Sequence, residues 1–209
     1  MASPARLSVS AGPGGKRAST VRGSVVRPPK VDETPFDIAT DAVVCTEAEL
    51  VGDVKIDSKT VVHPSVTFRA SGGPIIIGQG NVFEENCVVE NAGPDPMQIG
   101  DNNIFEVGVF FYGKKIGNGN MMEVKATVTS GVTIGDGCVV AAACTANADV
   151  PDGGTVSAVG LRVPSATEAS ALAAKHVETV QKHVEALLEI LPKTHYLKKS
   201  KYAKESIES

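Results

Sequence analysis

The sequence predicts an all-β solenoid, a parallel β-helix of about six coils, with one long C-terminal α-helix packed along its side. Three observations predict it. A large apolar residue returns every six positions, a second inward position four residues after it is mostly small or β-branched, and a glycine-bearing turn recurs at about three times that period. A six-residue repeat of this kind builds a prism in which three short strands and three turns make one coil.

The composition agrees. The chain has 209 residues, 42% of them hydrophobic, enough for a sizeable core in one domain. Six Phe, three Tyr and no Trp, against 21 Gly and 12 Pro, point to many short elements joined by tight turns. The longest wholly apolar stretch, Cys138 to Cys144, is seven residues, far below the roughly 20 needed to cross a bilayer. Cys45, Cys87, Cys138 and Cys144 form no CxxC pair, so neither a disulfide framework nor a zinc ribbon is indicated, and a reducing compartment fits best.

Residues 1–35 form the first segment. Arg6, Lys16, Arg17, Arg22, Arg27 and Lys30 stand among Ser, Gly, Pro and Ala with no acidic residue before Asp32, a composition that predicts a disordered basic arm. Residues 36–162 form the solenoid. The large apolar register runs Ile38, Val44, Leu50, Ile56, Val62 and Phe68, slips by three residues to Ile77, Phe83 and Val89, and slips by four to Ile99, Phe105 and Phe111. After a one-residue deletion it continues as Ile116, Met122, Val128, Ile134, Val140 and Ala146, which makes 18 hexads. The turns Ile77-Gly78, Ile99-Gly100, Ile116-Gly117 and Ile134-Gly135 recur at 22, 17 and 18 residues and mark one corner of the prism. At the inward small position of three of these turns stand Asn81, Asn103 and Asn120, which predicts a stacked asparagine ladder whose amides satisfy one another in the interior.

Residues 163–192 form the helix. Ser165 and Glu168 are spaced as a capping box, Leu172, Val177, Val180, Val184, Leu187, Leu188 and Leu191 make one apolar stripe, and Pro192 is expected to end it. Such a helix is about 40 Å long, while six coils rise about 29 Å, so it spans the side of the prism. Residues 193–209, with five Lys and two Glu, read as a flexible basic tail.

Chemistry is sparse. A three-imidazole zinc site of the carbonic anhydrase type needs three converging histidines, and the solenoid has His63 alone, with His176, His183 and His195 on the helix and tail. An acyltransferase of this architecture needs a histidine base beside a cleft, and His63, next to Pro64, reads as an outward, exposed or interface residue. Glu84, Glu85 and Glu106 read as a solvated acidic face, and the cysteines at the small inward register as compact apolar groups. No catalytic residue, metal site or cofactor is expected. Residues 38–160 hold 15 acidic and six basic residues, which disfavours nucleic acid. What remains is surface: the two ends of a solenoid expose strand edges, neither end carries an obvious polar cap in the sequence, and another chain is expected to cover at least one of them.

The stretches Ala42-Val43-Val44-Cys45 through Gly52-Asp53-Val54, Thr60-Val61-Val62-His63-Pro64, Gly73-Pro74-Ile75-Ile76-Ile77-Gly78 and Asn102-Asn103-Ile104-Phe105-Glu106-Val107-Gly108 together resemble the dynactin subunit 6 family, as do Ile190-Leu191-Pro192-Lys193 and His195-Tyr196-Leu197-Lys198-Lys199 near the end. The resemblance covers roughly residues 40–200. It implies a left-handed β-helix of the hexapeptide-repeat type. It also implies a non-catalytic subunit of the dynactin pointed-end complex, cytoplasmic and cytoskeletal, which supports dynein-driven transport along microtubules. The implied partners are dynactin subunit 5, dynactin subunit 4, the pointed-end actin-related protein and dynein cargo adaptors, with no membrane insertion. Two other classes stay open on the residues: a mitochondrial carbonic-anhydrase-like subunit that uses the basic arm as a transit peptide, and a hexapeptide-repeat acyltransferase.

Overall fold

In a computed structural model that describes residues 37–202, short parallel strands wind round a triangular prism and a single helix follows. The basic arm and residues 203–209 lie outside the described residues. One face stacks Val43–Val44, Val61–Val62, Val82–Phe83, Ile104–Phe105, Met121–Met122, Val139–Val140 and Thr155–Ser157, all parallel and in register. A second face stacks the first halves of Glu49–Ile56 and Thr67–Ile77 on Val88–Asn91, Phe110–Phe111, Thr127–Val128 and Thr145–Ala146. The third runs from Asp37–Ile38 through the second halves of the same two long strands to Met97–Ile99, Lys115–Ile116 and Thr133–Ile134, ending in a bridge to Val150.

The solenoid is therefore longer than its 18 hexads. Val156 and Val150 continue the first and third faces into a seventh layer, because after a shortened step from Ala146 to Val150 the six-residue spacing resumes and Pro151 to Gly153 turn the chain between them. The three-residue slip in the register falls inside the 11-residue strand Thr67–Ile77, which turns a corner without breaking, and the four-residue slip becomes the loop at 92–96. In the interior, Phe68, Phe83, Phe105 and Phe111 form a continuous aromatic column, with centroids 5.0, 4.5 and 5.8 Å apart. The rings alternate between edge-on and stacked contacts, the two arrangements that aromatic pairs favour.

The helix Ala166–Thr194 starts at a complete capping box, with the Ser165 hydroxyl accepting from the Glu168 N–H and the Glu168 carboxylate accepting from the Ser165 N–H. It runs back along the first face, from the last coil to the first. Ala169 meets Gly153, Ala173 meets Gly137, and Val180, Val184 and Leu191 pack on the outward side chains Val43, Val61 and Val82. Gly119, Gly137 and Gly153 all have positive φ, and a Cβ at Gly137 would lie 2.6 Å from the Ala173 Cβ. Glycine satisfies both demands at once, the left-handed corner and the close helix.

Two expectations about the C-terminus are corrected. Pro192 does not end the helix, which continues to Thr194. At the last turn a proline removes one hydrogen bond, a loss that a helix end tolerates far better than an interior does. Of the expected flexible tail at 193–209, the described part up to Tyr202 is not free either. Tyr196 to Tyr202 dock on the first coil, Leu197 forming an antiparallel bridge with Cys45 and Lys201 pairing with Asp37 at 2.8 Å. That end of the solenoid is thus covered by the chain itself, although the sequence shows no obvious cap there. At the other end Gly160–Arg162 folds back antiparallel on Thr155–Ser157 and lines the last rung of the first face.

Candidate functional site

The asparagines stack. The Asn103 side-chain amide donates to Asn81 Oδ1 at 3.0 Å and to the Gly117 carbonyl at 2.9 Å, while its Oδ1 accepts from both the N–H and the side-chain amide of Asn120 at 2.9 Å. Thr60 extends the column toward the first coil by accepting the Asn81 N–H, and Cys138 extends it the other way by donating its N–H to Asn120 Oδ1. All three asparagines are fully buried and hold the corners of successive coils together. They bind the chain to itself. A second ladder outside the same corner went unnoticed in the sequence: Asp101, Asn118, Asp136 and Asp152 each accept a backbone N–H from the preceding coil, at 2.9, 2.8, 2.7 and 2.9 Å. Its signal was present, since the residue after each corner glycine is Gln79, Asp101, Asn118 or Asp136.

Two histidines approach the adjacent carboxylates Glu84 and Glu85. His63 is not at an exposed corner. Its side chain is only 12% exposed, and its Nδ1 lies 2.9 Å from Glu85 Oε1. His183, from the helix, approaches Glu84 at 3.7 Å, and His195 adds positive potential at Glu85. Burial works against the Glu85 charge, yet the hydrogen bond from His63, a bond from its own backbone N–H and the positive potential of His63 and His195 together hold the carboxyl below the usual glutamate range. The Nε2 atoms of His63 and His183 are buried without a hydrogen-bond partner. His176 stays separate, with its ring buried against the Gly119 carbonyl at 3.3 Å and desolvation lowering its pKa. Among the described residues no group of three or more His, Cys, Asp or Glu is arranged to hold a metal ion.

The remaining candidates are tied up in structure. Glu106 accepts the Val124 N–H at 2.9 Å; desolvation raises its pKa, helped by Glu84 and Glu123. Burial pushes the Cys87 thiol up to about 12 and those of Cys45 and Cys138 to about 11. These thiols are protonated near neutrality and poor nucleophiles.

The surfaces differ by face. The first is covered by the helix. The second is open and carries Thr67, Val88, Phe110, Thr127 and Thr145 in one outward row, with Phe110 39% exposed and its ring stacked 6.4 Å from that of Tyr112. The loop at 92–96 rises beside it and walls a groove of about 450 Å³ whose polar lining includes Glu90, Asp95, Tyr112, Lys114 and Thr129. No histidine or cysteine lines this groove. The third face is mostly polar, with Asp37, Lys55, Gln98 and Lys115 outward and the exposed Ile76 among them. No helix among the described residues is long and apolar enough to cross a membrane.

Comparison with known proteins gives the architecture its family. No family model matches the chain. A crystal structure of a hexapeptide transferase family protein from Anaplasma phagocytophilum superposes with a TM-score of 0.60 at 18% identity, covering 73% of this chain and 89% of that one, and shows the fold as a left-handed parallel β-helix. Dynactin subunit 6 of Xenopus tropicalis is 36% identical over 176 residues, 78% of this chain and 84% of the relative. Dynactin subunit 6 of Dictyostelium discoideum is 32% identical over 78% of this chain and 88% of the relative. At this identity over 78% of its length, the chain belongs to the dynactin subunit 6 family.

Proposed function

We infer that the protein is a non-catalytic structural subunit of dynactin, placed in the pointed-end complex beside dynactin subunit 5, dynactin subunit 4 and the pointed-end actin-related protein. In that place it supports dynein-driven transport along microtubules in the cytoplasm, and its open surface contributes to the binding of cargo adaptors. The observation that carries this reading is the 36% identity to curated dynactin subunit 6 chains across 78% of the sequence. The chemistry of the site points the same way. Histidines, carboxylates and thiols are engaged in holding the solenoid and its helix together, and the groove on the open face holds neither an imidazole base nor a thiol.

The test is affinity purification of the tagged full-length chain from cells, with mass spectrometry of what accompanies it. The expected companions are an actin-related protein, other dynactin subunits and dynein. Recovery with mitochondria, stoichiometric zinc in the purified chain, or turnover of an acyl-CoA in place of those companions would overturn the reading.

A further inference from the structure

The first coil of the helix-bearing face ends in a strand edge. Val43–Val44 pairs with Val61–Val62 on one side only, and its other side is where a further coil would have added. That edge is occupied by the chain's own C-terminal segment, running the opposite way. The Thr46 N–H donates to the Tyr196 carbonyl at 2.9 Å, the Lys198 N–H donates to the Val44 carbonyl at 2.8 Å, and Cys45 and Leu197 stand opposite each other between these bonds. Leu197 packs into the apolar cluster of Val43, Val61 and Leu191 beneath the helix. Farther on, the Ser200 hydroxyl donates to the Ile38 carbonyl, and Lys201 and Tyr202 both engage Asp37 at 2.8 Å.

Three properties set this segment apart from the solenoid it touches. It pairs antiparallel where every layer of the prism pairs parallel, so it is an added strand and not a further coil. Its attachment includes two backbone bonds, the Leu197 side chain, the Ser200 bond to the Ile38 carbonyl and polar contacts at Asp37, and it pairs along one edge only, where an interior rung is paired on both sides. It is also opposite in charge: Lys201 pairs with Asp37, His195 lies near Glu85, and Lys198 and Lys199 belong to the same basic segment, while the first coil carries Asp37, Asp41, Glu47, Glu49 and Asp53 against Lys55. Backbone pairing at a sheet edge, with one side-chain seat for selectivity, is how extended peptides are recognised.

We propose that the Val44–Thr46 edge is a strand-binding site that Tyr196–Lys198 fills in cis, and that its ligand in trans is an extended basic segment of a partner polypeptide with an apolar residue at the Leu197 position. The C-terminal segment competes with that ligand. When it lifts off, the acidic first coil offers an unpaired edge and an apolar seat; when it docks, the edge is closed against indiscriminate strand pairing. This inference does not depend on membership of dynactin.

The experiment uses the full-length protein and two variants, Lys198→Pro, which removes the donor to Val44, and Leu197→Asp, which removes the anchor. A labelled peptide with the sequence of residues 194–202 serves as the probe, and a scrambled peptide as control. In both variants the Thr46 amide is expected to exchange roughly tenfold faster or more, while the amides of Phe83 and Phe105 keep wild-type protection. The probe is expected to bind each variant at least about tenfold more tightly than wild type and to restore Thr46 protection, because the edge is then unoccupied. Unchanged Thr46 exchange in both variants overturns the proposal, as does equal binding of the probe to wild type and variants, or equal binding of the scrambled peptide. Loss of protection throughout the central coils of both variants also overturns it, since the segment would then be part of the core and not a detachable occupant.

Discussion

The helix-bearing face and the open Phe110 face share one interior but have opposite exteriors. Inward, both stack the same hexad residues, Val44 to Val140 on one and Leu50 to Ala146 on the other. Outward, the first presents Val43, Val61, Val82 and Ile104, and the chain covers them with its helix and seals both edges of the face with its own antiparallel segments. The second presents threonines, Val88 and Phe110, and nothing among the described residues covers it. The repeat therefore makes the prism, while the single outward residue of each rung decides what the prism meets.

The comparison breaks most drastically if the shared interior is broken. Ile99 is 3% exposed and pairs between Ile77 and Ile116 in the middle of the third face. Ile99→Asp places an unpaired carboxylate there and is expected to cost about 4 kcal/mol or more, lowering the melting temperature by about 10 °C or more. Since each coil is supported by its neighbours, hydrogen exchange should show protection lost outward from that layer on all faces alike. Melting at the wild-type temperature would mean that the register is wrong.

A smaller loss is expected at the corner that all faces share. Asn103→Leu removes the acceptor of Asn120 and a donor to the Gly117 carbonyl, leaving buried polar groups without partners. Each such group costs about 1–3 kcal/mol, so a destabilisation of about 2–4 kcal/mol is expected from chemical denaturation. Asn103→Ser, which keeps a polar atom at the position, should recover part of it.

Much of this architecture is legible in the sequence, for a physical reason. The interior of a solenoid is periodic in sequence, so the hexad register and the asparagines at its turn positions report directly on what stacks on what. The outside has no such period. That His63 is mostly buried goes with its pairing to Glu85 one coil away, which no local pattern reports, and His-Tyr-Leu-Lys-Lys-Ser-Lys reads as a solvated basic tail until Lys201 and Leu197 find their seats. Pro192 misled in the other direction, because a proline marks the end of a helix without saying which residue of the last turn it occupies.

A matched pair of glycine variants sharpens the contrast between the covered and open sides. Gly137 and Gly131 both have positive φ, but a Cβ at Gly137 meets Ala173, whereas a Cβ at Gly131, beside the groove, meets nothing within 4 Å. Both changes to Ala carry the left-handed penalty of about 1–2 kcal/mol. Gly137→Ala should lose about 1–3 kcal/mol more, because the helix must shift to make room. Equal destabilisation in thermal unfolding would show that the helix does not lie where Ala173 places it.

The gentlest test concerns the segment that closes the first coil, through pH. The hydrogen bond from Lys201 is the main cause that holds the Asp37 carboxyl below its ordinary value of 3.8; slight burial opposes it, while Tyr202 and Lys55 assist. A depressed carboxyl contributes stability above its unfolded pKa and loses it as pH falls through the folded one. Lys201 is raised above 10.5 by the same hydrogen bond, so its share is present below that value and is lost as pH rises through its folded pKa. The contact is thus fully formed from about pH 5 to about pH 9. In amide NMR spectra the signals of Ser200 to Tyr202 should move toward those of a free chain as the pH falls below about 4, while those of Phe83 and Phe105 hold. Asp37→Asn should remove the acid transition at this end of the molecule and leave the far hairpin at Gly160–Arg162 unaffected. If the transition persisted in that variant, the closure of the first coil would rest on the backbone bonds to Val44 and Thr46, and not on the charge pair beside them.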